Sequence, residues 1–131
     1  MLRYFYAAFG GAIGSILRYA VSGLDFKISN GIFPSSTLIV NLAGSLIIGF
    51  LWGLFERFEF SPLLRVFLFV GILGGFTTFS SFSLENLNLL RDGEIKTAVI
   101  YILITNLGGI GLAFGGYFAA RYFTSLVKIG G

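Results

Sequence analysis

The chain has 131 residues, enough for one domain, with nine Lys and Arg, six Asp and Glu, and no His or Cys. Only 11% of residues are charged and 56% are hydrophobic, with a mean hydropathy of +0.90; a soluble domain carries roughly 25% charge, so the sequence reads as an integral membrane protein. The same composition excludes a zinc or thiolate centre, a Cys or Ser–His nucleophile pair and a disulfide framework, and basic residues scattered singly exclude a nucleic-acid patch despite a pI near 9.5.

The charges mark the spans. None falls between Arg3 and Arg18, Lys27 and Glu56, Arg65 and Glu85, or Lys96 and Arg121, gaps of 14, 28, 19 and 24 residues. A helix crosses a hydrocarbon core of ~30 Å with ~20 residues. Three gaps qualify directly, and the first does so if Arg18 sits near an interface and snorkels. The predicted fold is all-α, a single transmembrane domain over 1–131 with helices at about 3–23, 33–55, 64–90 and 95–123. A barrel is excluded because no ten-residue alternating pattern appears. The competing reading of the N-terminus as a signal peptide fails because Arg18 interrupts the apolar run and no cleavage site with a soluble domain follows. The loops, around Asp25-Phe26-Lys27, Glu56 to Arg65 and Arg91-Asp92-Gly93, leave no room for an extramembrane domain.

Four crossings put both termini on one side. That side carries Arg3, Arg57, Arg65, Arg121 and Lys128, and the other carries Arg18, Lys27, Arg91 and Lys96. Short-loop cations orient a membrane protein by their asymmetry, and five against four supplies almost none. The balance leaves two readings open: insertion both ways up as an antiparallel dimer, or a fixed orientation set by a partner or a weak residual bias.

In the first helix Gly10, Gly11 and Gly14 stand in register with Ala7 and Ser15. The second carries Gly44, Ser45, Gly49 and Gly53, and the fourth Gly108, Gly109, Gly111, Gly115 and Gly116. Small residues four apart let helices approach closely in lipid, which supports a tight bundle and self-association but says nothing of transport. Asn41 sits centrally in the second helix with Ser45 one turn on. Its amide is either interhelical glue or a donor that replaces part of an anion's hydration shell, and Asn106 carries the same ambiguity.

The third helix is the unusual one. From Gly71 to Ser83 it reads Gly-Ile-Leu-Gly-Gly-Phe-Thr-Thr-Phe-Ser-Ser-Phe-Ser, poor helix material near the middle of a span. An unwound turn is predicted over Gly74 to Thr78, with a new half-helix starting at Thr77 or Thr78. Freed groups at such breaks bind ions, carbonyls holding cations and half-helix N-termini favouring anions; a well-packed glycine kink is the plainer alternative. Phe76, Phe79 and Phe82 follow at i, i+3 and i+6, interleaved with Ser80, Ser81 and Ser83. A ring's positive edge offers weak positive potential to an anion without a fixed charge. In the fourth helix Tyr101 and Thr105 form a polar stripe that ends at Gly109. Arg18 and Glu85 are the charges nearest the core. Arg18 either snorkels or makes a positive vestibule that concentrates anions, and Glu85 either pairs with a cation or faces water. Neither lies at the midplane.

Three motifs carry a resemblance over essentially the whole chain: Gly10-Gly11-Ala12-Ile13-Gly14-Ser15 running to Arg18-Tyr19, Thr37-Leu38-Ile39-Val40-Asn41-Leu42-Ala43-Gly44, and Gly71-x-x-Gly74-Gly75-x-Thr77-Thr78-Phe79-Ser80-Ser81-Phe82-Ser83-x-Glu85. Together they resemble the CrcB/Fluc fluoride ion channels, the third being the specific one. The resemblance implies an antiparallel, dual-topology homodimer in the inner (plasma) membrane, with two pathways for passive export of fluoride that enters as HF. It implies that Asn41, Phe79 and Phe82 line the pathways, with Ser81 where Thr is common. It also implies that Arg18 lies near the vestibule and that the backbone carbonyls of Gly74 and Thr77 from both subunits hold a structural sodium ion. Tyr101 and Thr105 extend the lining on the fourth helix, where Gly109 removes a hydroxyl.

A small dual-topology multidrug exporter would need a membrane-embedded carboxylate, and the first helix has none. A non-transporting membrane subunit does not account for the hydroxyl-rich break. No acid–base pair shares the membrane interior, so no enzyme is expected.

Overall fold

The computed structural model describes residues 1–28 and 31–130. Helix α1 runs over Leu2–Val21 and ends in a short turn, Ser22–Leu24. Two three-residue strands follow, β1 (Phe26–Ile28) and β2 (Gly31–Phe33), paired antiparallel with Phe26 opposite Phe33. Helix α2 spans Ser35–Arg57. Helix α3 covers residues 62–76, with Pro62 in its first turn and the hydroxyl of Ser61 accepting from the Leu64 amide at 3.1 Å. Helix α4 is Phe79–Arg91, and α5 covers residues 95–130. Both α3 and α5 contain a π-helical stretch, Val66–Leu73 and Ile104–Gly108.

Four segments are long and apolar enough to cross a membrane: Leu2–Leu24, Ser35–Arg57, Pro62–Arg91 and Ile95–Val127. The hairpin between the first two was not predicted. It brings Leu24 and Asp25 to the start of α2, where Pro34 can supply no side-chain cap. Ser35 Oγ donates to the Leu24 carbonyl, and Asp25 Oδ1 accepts from both the Ser36 amide (2.9 Å) and the Ser36 hydroxyl (2.7 Å). A carboxylate on an exposed N-terminal amide satisfies a donor that the helix itself leaves unpaired.

The helices pack as two couples, α1 along α3 and α2 along α5, and few contacts join the couples. Each couple is closed by glycine. A Cβ on Gly75 would lie 2.6 Å from the Gly11 carbonyl oxygen, and one on Gly49 would overlap the carbonyl of Ala113. Backbone-to-backbone approach of this kind gives the van der Waals contact that holds helices together in lipid.

The third span is interrupted within the predicted stretch, but only at its C-terminal end. Gly74–Phe76 remains helical, and only Thr77 (ψ 158°) and Thr78 (ψ 124°) are extended. Thr78 is the N-cap and the new half-helix starts at Phe79. Gly74 and Gly75 are therefore not the unwound residues, and Gly75 serves close approach to α1 instead. The hydroxyls make the break: Thr77 Oγ1 donates to the Leu73 carbonyl at 2.9 Å, and Thr78 Oγ1 accepts from the Ser81 amide at 3.2 Å. Side chains that bond to their own backbone compete with a continuing helix and favour caps.

Candidate functional site

The break is gripped from α2. Asn41 lies opposite Thr78, its Oδ1 accepting from the Thr78 amide (2.9 Å) and its Nδ2 donating to the Thr78 carbonyl (3.1 Å). A primary amide matches both halves of one peptide unit in this way, and no other side chain of that size has an acceptor and a donor side by side. Gly44, one turn on, lets the break come close, since a Cβ there would overlap Thr77 Cγ2. Asn41 is thus interhelical glue, and its Nδ2 still carries a second N–H.

The clamp diverts the amides that would close the helix on two backbone carbonyls, those of Gly74 and Thr77. The amide four residues beyond Gly74 belongs to Thr78 and is bound to Asn41, and the one four beyond Thr77 belongs to Ser81 and is bound to the Thr78 hydroxyl. Gly75 differs, because its carbonyl accepts from Arg18 Nε at 3.0 Å. Arg18 therefore turns inward to the end of α3, where a cation faces the negative end of the half-helix dipole, rather than snorkelling away.

Two hollows meet at Thr78. On one side an open cleft of about 400 Å³ lies between α2, α3 and α5, lined by Asn41, Ser45, Gly74, Thr77, Phe79 and Thr105 among others. Its walls are largely apolar, Phe79 is 77% exposed, and the buried Thr105 hydroxyl has no partner among the described residues. On the other side a smaller, more polar chamber of about 170 Å³ is lined by Arg18, Asp25, Thr37, Thr78, Ser81 and Glu85.

Tyr101 and Phe82 line neither hollow directly. Both are buried, with rings 5.1 Å apart, in a cluster with Leu89 and Ala98. Tyr101 reaches the chamber through its hydroxyl, which donates to Glu85 Oε1 at 2.9 Å, while Thr37 Oγ1 donates to Glu85 Oε2 at 2.7 Å. Among the described residues Glu85 thus pairs with no cation; the neutral hydroxyls of Thr37 and Tyr101 hold it. Phe79 and Phe82 approach at 5.7 Å, so one ring stands in the open cleft and the other in the core. Asn106 is exposed and donates to its own helix at Ile102 (2.8 Å).

The structure therefore brings Asn41, Phe79, Thr105, Gly74 and Thr77 together, sets Arg18 and Ser81 next door, and keeps Phe82 and Tyr101 behind the chamber wall. Thr37 is the residue that sequence reasoning missed. Its available signal was position: four residues before Asn41, it shares one face of α2 with it.

A family model described as CrcB-like protein, Camphor Resistance (CrcB), matches residues 5–117. The chain is 41% identical over 128 residues to a fluoride-specific ion channel FluC of Parabacteroides distasonis, covering 98% of this chain and all of that one. It is 47% identical over 117 residues to the protein of that name from Thermus thermophilus, covering 89% and 94% of the two chains. It is 52% identical over 97 residues to the one from Opitutus terrae, covering 72% and 74%. These relatives are named as channels and not as enzymes, and the family model reaches into all four spans. With the family model covering most of its length, this multi-pass membrane protein belongs to the CrcB-like family.

Proposed function

We propose that the chain is a fluoride-selective channel that acts as an antiparallel, dual-topology homodimer with two pathways, and that it exports fluoride passively across the inner (plasma) membrane. The observation that carries this reading is the clamp between Asn41 and Thr78, with the exposed Phe79 beside it, in a chain whose relatives are named as fluoride-specific channels. Fluoride is small and strongly hydrated, so a pathway must replace water with donors placed in advance, in a narrow space. The second N–H of Asn41, the Thr105 hydroxyl and the amide end of α4 are such donors, and the Phe79 and Phe82 edges add positive potential. Ser81 extends the polar lining on the chamber side, with the Tyr101 hydroxyl behind it on Glu85, and Arg18 there offsets negative charge from Asp25 and Glu85. Conduction is passive, down the electrochemical gradient of fluoride, and no titratable group among the described residues lines the central cleft to couple it to protons.

The near-even cation split and a break whose cleft stands open in one subunit support a second copy completing the site. The carbonyls of Gly74 and Thr77 suit a hard cation such as sodium, which takes oxygen ligands. One chain supplies two of them, so the partner copy would provide the rest. Bound there, the ion would tie the two broken helices together and add fixed positive charge near the anion routes.

The test is anion efflux from liposomes holding the purified protein. Fluoride should leave rapidly and chloride negligibly, and no flux of either ion would end this reading. Replacing sodium by N-methylglucamine throughout purification should weaken both assembly and fluoride flux; unchanged values of both would refute the sodium site.

A further inference from the structure

A third hollow adjoins the central cleft at Ile48 and runs toward the side that carries the termini. It is a groove of about 440 Å³ between α2 and α5, almost wholly apolar, lined by Ile48, Gly49, Trp52, Ala113, Phe114 and Tyr117. Its two amphipathic rings each carry a guanidinium. Arg65 stands 5.7 Å from the Trp52 centroid, and Arg121 stands 5.8 Å from the Tyr117 centroid and donates to its hydroxyl at 3.2 Å. Both arginines are exposed. Among the described residues neither has a carboxylate within ion-pair distance, although Glu56 stands in the last turn of α2 and Glu59 just beyond it. Trp52 is five residues from the end of α2, about 8 Å of helix, the depth at which Trp and Tyr mark a membrane–water interface.

We infer that this groove is a binding site for an anionic phospholipid, one acyl chain lying along Ile48, Trp52 and Phe114 and the phosphate held by Arg65 and Arg121. The shape and the charge point to the same ligand. An apolar floor at interfacial depth suits a hydrocarbon chain, and two unpaired guanidiniums at the rim suit a phosphate, which Arg binds through paired donors. A second copy of the chain would fill the floor equally well but would leave two cations to be matched, and the only acids nearby are already exposed to water. The inference does not depend on which ion the protein conducts.

Trp52 is the sole tryptophan of the chain, so its fluorescence reports this groove alone. The full-length protein is reconstituted in phosphatidylcholine vesicles, and dibrominated phosphatidylglycerol or dibrominated phosphatidylcholine is titrated in. Half-maximal quenching should need about fivefold less of the anionic lipid, the scale expected from one interfacial cation or more. The Arg65→Gln/Arg121→Gln double variant should lose that preference, taken as the ratio of the two lipids so that any change in baseline emission cancels. Equal quenching by both lipids, or a preference kept by the double variant, would overturn the site. Absence of quenching by either would mean that protein, a second copy included, covers the groove. Reversal of the quenching by millimolar inorganic phosphate would reduce it to a headgroup site and remove the acyl-chain component.

Discussion

Asn41→Asp should lower fluoride efflux by at least about a hundredfold while leaving a folded, assembled protein. The substitution hardly changes the shape of the side chain, but it removes the donor that meets the Thr78 carbonyl and replaces it with a second acceptor. It also adds a fixed negative charge to the cleft that holds Phe79 and Thr105. Two unit charges 4 Å apart interact by about 4 kcal/mol at an effective dielectric of 20, more than the hundredfold needs. The Asp Oδ1 keeps its bond from the Thr78 amide and the cap of α4, the Thr78 hydroxyl on the Ser81 amide, is untouched, so helicity should be unchanged. Efflux from liposomes, read beside the elution volume and the far-ultraviolet spectrum, separates the two effects. Wild-type flux in Asn41→Asp would remove the amide from the pathway.

That prediction rests on a contact between residues 37 apart in sequence, and the distance explains what was and was not legible. The spans could be read because lipid imposes a single rule, no uncompensated charge for ~20 residues, and the rule acts locally. The existence of a break could be read because two glycines and five hydroxyl residues share the ten residues from Gly74 to Ser83. Its narrowing to Thr77 and Thr78 could not. Gly74 and Gly75 look like the weak point until α1 is present, and then Gly75 turns out to be a surface for the Gly11 carbonyl, leaving Thr77 and Thr78 to unwind. Arg18 is similar: nothing local distinguishes a snorkelling cation from one that closes the Gly75 carbonyl 57 residues away. Glu85 took its two partners from α2 and α5, so its own helix held no hint of either. The hairpin at Phe26–Phe33 did have a signal, Asn30-Gly31 between short apolar runs, but three-residue strands fall below the length at which alternation can be recognised.

The glycines themselves carry the other large prediction. Gly49→Val should destabilise the subunit by at least about 3 kcal/mol, at or beyond the top of the usual range for overpacked cores, and most of the protein should be lost as aggregate in mild detergent. The reason is what a side chain there would meet: the carbonyl oxygen, carbonyl carbon and Cα of Ala113, all main-chain atoms of α5. A flexible neighbour could swing away, but a helix backbone cannot, so the α2–α5 couple must part along its length. Gly116 faces the Leu46 carbonyl in the same seam, so parting the helices at Gly49 gives up that close backbone contact as well. Gly111→Ala supplies the contrast. Nothing lies within 4 Å of a Cβ at that position, and alanine is the better helix former by about 0.8–1.0 kcal/mol, so subunit stability should hold or rise slightly. Thermal unfolding followed by circular dichroism, with size-exclusion recovery, checks both. Equal melting of Gly49→Val and wild type would show that the α2–α5 seam is not the contact that holds the subunit together. If Gly111→Ala kept its melting point but shifted the elution toward the monomer, the open glycine face of α5 would be the surface that the partner copy uses.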